Sequence, residues 1–222
     1  MLNVDCFLPQ YWANQQPERT ALIWNKGSSP FFPQLQSQSM TWSQLNKLIT
    51  QISEKFRGNV TKNNVVAYYG KSRFCGLLSY LAVIALGGRI VMLNPALKIS
   101  QKNAILTDIG VDFLITDQDF LFLENLNNFG SVDDDNVSQA LTLTLTSGSS
   151  GKPKAVVHTV ADHLANAKGV CELMGFSHTD SWLLSLPLFH VSGQGIVWRW
   201  LLQGATLQIC EDKCDFMDGL DE

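Results

Sequence analysis

Apolar residues recur every three or four positions from residue 41 onward, a pattern that predicts an amphipathic helix. Thr41 and Gln44 have the spacing of a capping box and mark the start of this helix. A shorter amphipathic pattern over residues 4–16 ends at Pro17, and a strand is predicted at residues 20–24. The residues expected on the buried face of the longer helix are Leu45, Leu48, Ile49, Ile52 and Phe56.

Short apolar segments and helical segments alternate in the next part of the chain. The pattern predicts a strand at 65–69, a helix at 72–86, a strand at 90–93, a helix at 100–107 and a strand at 113–116. Strands of continuous apolar residues separated by helices favour parallel pairing. The sequence therefore predicts an α/β fold in which mostly parallel sheets are flanked by helices.

A two-residue period begins at residue 141. Leucines occupy the odd positions and threonines the even positions from Leu141 to Thr146, which predicts a half-buried strand. Further along, the pattern predicts strands at 155–158, 181–186 and 205–210. A helix is predicted at 159–174, and a loop at 188–195 is expected to enter a second helix that runs to Leu202.

The strand at 141–146 leads directly into a loop rich in glycine and hydroxyl groups, Ser147 to Gly151. Such a loop lets backbone N–H groups converge on an anion, and Lys152 and Lys154 add positive charge beside it. A P-loop NTPase is excluded, because that motif needs four residues between its first glycine and the Gly-Lys pair. Gly148 and Gly151 have only two residues between them. The alternative to an anion site is a Ser/Gly linker.

Composition narrows the classes of partner. The 222 residues carry a net charge of −4 and only 16% charged residues, so we expect no nucleic-acid partner. The chain starts without a basic region followed by an apolar one, and the apolar stretch at 74–88 is too short to cross a bilayer. We therefore expect small-molecule partners, no secretory signal and no membrane span.

No metal site is predicted from cysteine, histidine or carboxylate spacing. Five scattered cysteines favour reduced thiols and a cytoplasmic location, and Cys210 and Cys214 lack a second Cys or His pair. Three consecutive aspartates at 133–135 cannot all face one ion. His158 and His163 have no partner at ligand spacing, so we interpret them as ordinary polar residues.

Arg199 is the only charged residue between Ser192 and Leu202. Ser192 is expected to cap this helix, and Ser192, Gly195 and Arg199 would share one helical face. A guanidinium in apolar surroundings is costly unless an anion pairs with it. We therefore predict that Arg199 and Ser192 bind a ligand carboxylate; the alternative is an internal salt bridge.

The segment from Thr146 to Lys154 matches, position by position, the signature Ser/Thr-Ser-Gly-Ser/Thr-Ser/Thr-Gly-x-Pro-Lys. It thereby resembles the phosphate-binding loop of the adenylate-forming superfamily, which includes the acyl-CoA synthetases. Residues 81–95 are similar to its helix-Gly-strand-Asn-Pro block, and residues 186–190 to its loop with a pocket-gating histidine. Within the superfamily, residues 181–202 most closely resemble the o-succinylbenzoate–CoA ligases of menaquinone synthesis.

The resemblance implies a large N-terminal adenylation domain and a two-step reaction. A carboxylate attacks the α-phosphorus of ATP, with Mg²⁺ present, to give an acyl-adenylate and pyrophosphate; the thiol of coenzyme A then attacks the adenylate. Lys154 would supply charge to the reaction, and His190 would gate the acyl pocket unless it is simply a hydrogen-bonded histidine at a loop–helix junction. The pyrophosphate portion of ATP would be held by Thr146, Ser147, Gly148, Ser149, Ser150, Gly151 and Lys154. The substrate o-succinylbenzoate would be bound by His190, Ser192, Gly195 and Arg199.

Several blocks that follow in these enzymes do not occur in the sequence: the adenine-side Tyr-Gly-x-Thr-Glu block, the ribose-binding aspartate, the hinge and the C-terminal lid with its lysine. We therefore expect residues 1–222 to form part of an N-terminal adenylation domain without the lid, and not to complete ligation alone. Three alternatives stay open: a nucleotide-binding module without catalysis, a synthetase for another aromatic or small carboxylic acid, and a remnant without a stable fold. The sequence predicts neither the oligomeric state nor whether coenzyme A binds.

Overall fold

A computed structural model describes residues 6–24, 38–121, 137–146 and 154–210. The helices are α1 (Leu8–Gln15), α2 (Trp42–Phe56), α3 (Arg73–Ala85), α4 (Ile99–Asp108), a 3-10 helix (Asp117–Phe120), α5 (Val160–Met174) and α6 (Val191–Gln203). The strands are β1 (Thr20–Trp24), β2 (Ser39–Thr41), β3 (Val65–Tyr68), β4 (Arg89–Met92), β5 (Phe113–Ile115), β6 (Leu141–Thr146), β7 (Lys154–Thr159), β8 (Ser181–Leu183) and β9 (Thr206–Ile209).

The strands form two sheets in the described part of the chain. One has the order β2-β1-β9-β8 and the other β5-β3-β4-β6-β7. Only β1–β2 and β6–β7 pair in antiparallel fashion there, and the remaining pairs are parallel. The predicted α/β fold of mostly parallel sheets flanked by helices is confirmed.

Helix α2 begins where its sequence pattern predicted. The Thr41 Oγ1 accepts a hydrogen bond from the backbone N–H of Gln44 (3.3 Å), and the Gln44 side chain accepts one from the Thr41 N–H (2.8 Å). The two bonds satisfy donors that a helix leaves unpaired at its start. All five apolar residues predicted for the inner face are buried.

The strand predicted at residues 181–186 is shorter in the structure and ends at Leu183. The chain turns tightly at this point, because the backbone N–H of Ser185 donates to the carbonyl of Leu183 (2.8 Å). Pro187 then accepts a hydrogen bond from the N–H of His190 (3.1 Å), which starts α6. These two turns place the segment between β8 and α6 at the edge of the candidate site.

One large apolar cluster includes residues of both sheets. Helices α2, α3 and α6 all contribute to it, and the indole of Trp42 stacks on that of Trp200 at 5.1 Å. A smaller cluster on the β3-β4-β6 sheet includes Ala67, Val91 and Leu143 and packs against Ile105 of α4. The larger cluster supports α6, which carries the candidate substrate-binding residues.

Candidate functional site

Two of the three threonines of β6 are buried, so the predicted half-buried strand was wrong in this respect. Thr142 is 1% exposed and Thr144 is 7% exposed. The Oγ1 of Thr142 lies 2.7 Å from Nε2 of His163, and the Oγ1 of Thr144 accepts from Nε2 of Gln194 (3.4 Å). The hydroxyls can be buried because α5 and α6 supply hydrogen-bond partners to them.

The two ends of the predicted phosphate loop lie side by side. Thr146 pairs with Lys154 at the end of the β6–β7 hairpin, and its Oγ1 donates to the Lys154 carbonyl (3.3 Å). Both side chains are exposed. The remaining residues assigned to this loop lie outside the described residues: Ser147, Gly148, Ser149, Ser150 and Gly151. Their assignment to ATP stays a prediction.

Ser192, Gly195 and Arg199 line one cavity of about 490 Å³. It lies between α5, the start of α6 and the segment that follows β8. The other residues that line it are His158, Asp162, His163, Asn166, Trp182, Ser185, Leu186, Val191 and Ile196. The three residues that were predicted to share a helical face therefore line the same cavity, whose walls are both polar and aromatic.

The Arg199 guanidinium lies beside Gly195 and over the Trp182 ring. Its Cζ is 5.1 Å from the centroid of that ring, and a Cβ on Gly195 would lie 3.2 Å from Nη2. Its Nε is buried without a hydrogen-bond partner, and the described residues contain no salt bridge to it. Within the described residues, the structure therefore does not support the internal salt bridge that was the alternative for Arg199.

Ser192 does not cap α6, so that prediction was wrong. The helix begins at Val191 with His190 at the N-cap position, and Ser192 is its second residue. The turn at Pro187 starts the helix earlier than the position of the serine suggested. Ser192 is exposed and its hydroxyl is available to the cavity that it lines.

His190 is exposed at the N-terminus of α6, and its ring centroid lies 4.5 Å from that of Phe189. It does not belong to the lining of the cavity that holds Arg199. No side-chain hydrogen bond to the helix start is made by His190 within the described residues. Its role as a gate therefore stays a prediction.

His163 is a cavity residue whose importance the sequence interpretation missed. Its side chain is 6% exposed, and its ring stacks on Trp198 at 5.1 Å with an interplanar angle of 7°. The pKa of His163 is lowered to about 4, mainly by burial and also by the nearby His158, while Asp162 partly opposes this shift. His163 is therefore neutral at neutral pH, unlike an ordinary polar histidine.

A sequence signal for His163 did exist. It occupies the same stripe of α5 as the buried residues Val160, Leu164, Ala167 and Cys171. A histidine on the apolar stripe of a helix must find a hydrogen-bond partner when it is buried. That partner, Thr142, lies 21 residues earlier in the chain.

No group of three or more His, Cys, Asp and Glu side chains in the described ranges could hold a metal ion. No helix in these ranges is long and apolar enough to cross a membrane.

The sequence is similar to one protein family and to individual members of known function. Residues 9–137 and 127–221 match the family described as AMP-binding enzyme. The chain is 45% identical over 178 residues to 2-succinylbenzoate–CoA ligase of Haemophilus influenzae, an alignment that covers 80% of this chain. It spans 39% of the length of that relative.

Two solved structures are also similar. One is wild-type Escherichia coli MenE with a bound phenylether-linked analogue of OSB-AMS (TM-score 0.73, 30% identity), covering 94% of this chain and 46% of that one. The other is o-succinylbenzoate coenzyme A synthetase (MenE) of Bacillus subtilis in complex with ATP and a magnesium ion (TM-score 0.76, 26% identity). That match covers 96% of this chain and 60% of the other.

Proposed function

This chain belongs to the AMP-binding enzyme family, and we propose that it forms the acid-binding part of an ATP-dependent ligase that joins 2-succinylbenzoate to coenzyme A. The observation that carries the proposal is the Arg199 guanidinium, which faces the cavity beside Gly195 and has no carboxylate partner among the described residues. The names of the relatives and the bound OSB-AMS analogue in a similar structure support the same substrate.

Arg199 fits one end of a dicarboxylate. A guanidinium in a partly buried site forms short, paired hydrogen bonds with a carboxylate, and these offset the cost of removing both charges from water. Gly195 leaves room beside the guanidinium for the anion, and Ser192 lines the same cavity. One carboxylate of the ligand is thereby fixed, while the other stays available for the reaction.

The aromatic wall of the cavity suits a benzoate ring. Trp182 lies under the guanidinium, and Ile196 and Val191 add apolar surface to the same space. Flat aromatic surface can be buried there without leaving polar groups unpaired. A ring that carries a carboxylate would place its charge at Arg199 and its face against these side chains.

The second carboxylate is the nucleophile of the reaction that we propose. One of its oxygens forms a bond to the α-phosphorus of ATP, the bond to the pyrophosphate oxygen breaks, and the coenzyme A thiol later displaces AMP. Positioning and fixed charge supply most of the rate in such displacements. Thr146 and Lys154 at the β6–β7 hairpin are the described residues that we assign to the phosphate side.

Mg²⁺ would neutralise phosphate charge when ATP is bound. This ion takes most of its ligands from water and phosphate oxygens and needs few protein groups. Because the described residues contain no cluster of metal ligands, we assign none of them to the ion.

Replacing Arg199 tests the proposal. In the intact protein that carries this chain, Arg199→Ala should raise the KM for 2-succinylbenzoate by about 100-fold, since a charge-assisted pair contributes roughly 1.5–3 kcal/mol. The KM for ATP should stay within about twofold, because Arg199 touches only the acid. Steady-state kinetics with each substrate varied in turn measures both constants.

Arg57→Ala is the matched control. Arg57 pairs with Glu54 on the surface at 2.6 Å, so its loss should leave both constants unchanged. An equal rise of both KM values in the Arg199 variant would contradict the assignment. Normal kinetics with an aromatic monocarboxylate, unaffected by Arg199→Ala, would instead favour a synthetase for another acid.

A further inference from the structure

The Arg199 guanidinium lies against an aromatic ring. Its Cζ is over the ring of Trp182, 5.1 Å from the ring centroid. A cation within about 6 Å of such a centroid is attracted by the negative potential of the ring face, and tryptophan is the strongest of the aromatic partners. The indole of Trp182 therefore attracts the positive charge of Arg199.

The same guanidinium has no hydrogen-bond or ion-pair partner within the described parts of the chain. An arginine side chain has several rotatable bonds, and their freedom is lost when the guanidinium is fixed. If the side chain moved freely before the ligand arrived, binding would have to overcome this loss. A contact that fixes the group beforehand therefore improves affinity for an anion.

Trp182 is itself held firmly enough to provide such a contact. It is the middle residue of β8 and pairs with Leu207 of β9. Its ring packs against that of Phe176 in a T-shaped arrangement, with the centroids 4.7 Å apart and an interplanar angle of 71°. It also packs against the large apolar cluster. The ring face is thus carried by a sheet and backed by a second ring.

The contact with Trp182 leaves Arg199 able to bind an anion. Attraction to a ring face acts on the charge of the guanidinium and does not require the N–H donors that a carboxylate would use. Nη2 lies 3.2 Å from the position that a Cβ on Gly195 would take, and Trp182, Gly195 and Arg199 all line the same cavity. An acid in this cavity meets a guanidinium that is held in place and still has its donors.

We propose that Trp182 is a positioning residue, which holds the Arg199 guanidinium in its binding orientation before the acid arrives and so strengthens selection for an acid with a second carboxylate. This inference rests on the proposed function, in which Arg199 binds the ring carboxylate of 2-succinylbenzoate. Trp182 then contributes twice, as apolar wall for the ring of the acid and through Arg199. Only the second contribution depends on the ring carboxylate.

Two acids separate these contributions. The first is 2-succinylbenzoate, and the second is 3-benzoylpropionate, which has the same ring, ketone and reactive carboxylate but lacks the ring carboxylate. The ratio of their Kd values measures the contribution of the guanidinium, because the contact of the ring with the cavity wall is common to both acids. Isothermal titration of the intact protein that carries this chain should give a ratio of about 100, as expected for a charge-assisted pair.

Replacing Trp182 should change this ratio according to the ring face that remains. Trp182→Leu keeps an apolar side chain without a ring and should lower the ratio about three- to tenfold, the size of a half-buried cation–π contact. Trp182→Phe restores an aromatic face, so the ratio should fall by no more than about twofold. A residue that served only as wall would change both Kd values alike and leave the ratio intact.

Combination with Arg199→Ala tests whether Trp182 acts through the guanidinium. The ratio should be close to one in Arg199→Ala, and adding Trp182→Leu should not change it further. Tyr69→Leu is the matched control, since Nζ of Lys102 lies 5.1 Å from the Tyr69 ring centroid and neither residue lines the cavity. This variant should keep the full ratio.

A tetrafluorinated tryptophan in place of Trp182 covers the case in which Trp182→Leu does not fold. Fluorine withdraws electron density from the ring face with little change in shape, so the ratio should fall as it does in the leucine variant. An unchanged ratio in this protein would overturn the inference and leave the proposed function standing. The same would follow if Trp182→Leu lowered the ratio equally with and without Arg199. Failure of both acids to bind would overturn the proposed function itself, and the inference with it.

Discussion

Gly195 lies beside the Arg199 guanidinium, and in the function that we propose it determines how closely the ligand carboxylate can approach that group. A Cβ at this position would lie 3.2 Å from Nη2 and 3.6 Å from Cζ of Arg199. Gly195→Ala should therefore displace the guanidinium by a few tenths of an ångström and weaken binding of 2-succinylbenzoate by about three- to tenfold. Isothermal titration would measure this change.

Gly169→Ala is the control for that prediction. Gly169 lies in α5, and nothing is within 4 Å of the position that its Cβ would take. The substitution should leave the Kd unchanged and stabilise the protein by about 0.5–1 kcal/mol through helix propensity. A weaker Kd in both variants would point to a general effect of glycine replacement, not to the guanidinium.

His163 should make the free energy of unfolding depend on pH. Its pKa is about 4 in the folded protein and 6.5 in its ordinary state. Between these values the unfolded chain binds more protons, so stability is fully present above pH 6.5 and is lost as the pH falls toward 4. The loss should reach about 3 kcal/mol.

Urea unfolding at a series of pH values, compared with His163→Gln, isolates this contribution. The variant should lack the slope in that interval. Hydrogen bonds from Thr159 lower the pKa of Asp162, so this carboxylate also loses its stabilising effect on acidification. Because both proteins keep the hydrogen bonds from Thr159 to Asp162, which are the main cause of its lowered pKa, this contribution cancels. An identical slope in the variant would contradict the assignment to His163.

Two cavity residues show what a sequence can and cannot predict. Arg199 was predictable because a lone charge in an apolar helix is costly, and this cost is visible in the local sequence alone. His163 was interpreted as an ordinary polar residue because its environment depends on Thr142 and Trp198, which are distant in sequence. The tertiary contact decides the protonation state, and no local spacing encodes it.

At the scale of elements, the sequence predicts the start of a helix well when the capping residues form a recognisable motif. The Thr41–Gln44 capping box is formed as expected. The prediction that Ser192 caps α6 was wrong because a serine before a helix resembles a capping residue. In the structure the turn at Pro187 starts α6 one residue before Ser192. A helix boundary that is set by a preceding turn can be predicted only from the path of the backbone. The periodicity of the side chains gives no information about that path.

The C-terminus of α6 is held by one side chain of α1 and by that of Gln16, which follows α1. Trp12 Nε1 donates to the Leu201 carbonyl (2.6 Å) and Gln16 Nε2 to the Gly204 carbonyl (2.8 Å). Gly204 ends the helix with φ +61°, and a Cβ there would lie 2.6 Å from the Trp12 ring. Helix α1 and this glycine therefore form one closely packed unit.

Gly204→Ala should lower the free energy of unfolding by more than about 3 kcal/mol, because it combines a left-handed backbone with overpacking. Gly110→Ala separates the two effects. Gly110 has φ +66° and nothing within 4 Å of its Cβ position, so its replacement should cost only about 1 kcal/mol. Chemical denaturation measures both values, and equal costs would show that packing against Trp12 contributes little.

At the scale of the whole molecule, the α/β class followed from alternating strands and helices, but the strand order did not. β1 pairs with β9 near the far end of the described chain, as in the contact of Leu22 with Leu207. Such pairing depends on which apolar faces meet in space, and the period of the sequence gives no information about it. The sequence therefore did not predict which strands belong to which sheet.

The two sheets share one large apolar cluster, so we expect them to unfold together. The hydrogen bond from Trp198 of α6 to Tyr80 of α3 lies inside that cluster. Tyr80→Phe removes the acceptor of a buried indole N–H and should lower the free energy of unfolding by about 1–3 kcal/mol. Tyr69→Phe, whose hydroxyl donates to Pro95 and Leu97 carbonyls at 3.3 and 3.2 Å in a half-buried site, should cost about 0.5–1 kcal/mol.

Two probes on the purified chain test the coupling of the sheets. Tryptophan fluorescence reports on α1, α2, α6, β1 and β8, whose sequences hold all six tryptophans, whereas far-UV circular dichroism reports on both sheets. Because Tyr80 lies in the cluster that the sheets share, Tyr80→Phe should shift both unfolding curves by the same amount and leave them superimposed. Separate transitions would mean that the β5-β3-β4-β6-β7 sheet unfolds independently, and the absence of any cooperative transition would favour a remnant without a stable fold.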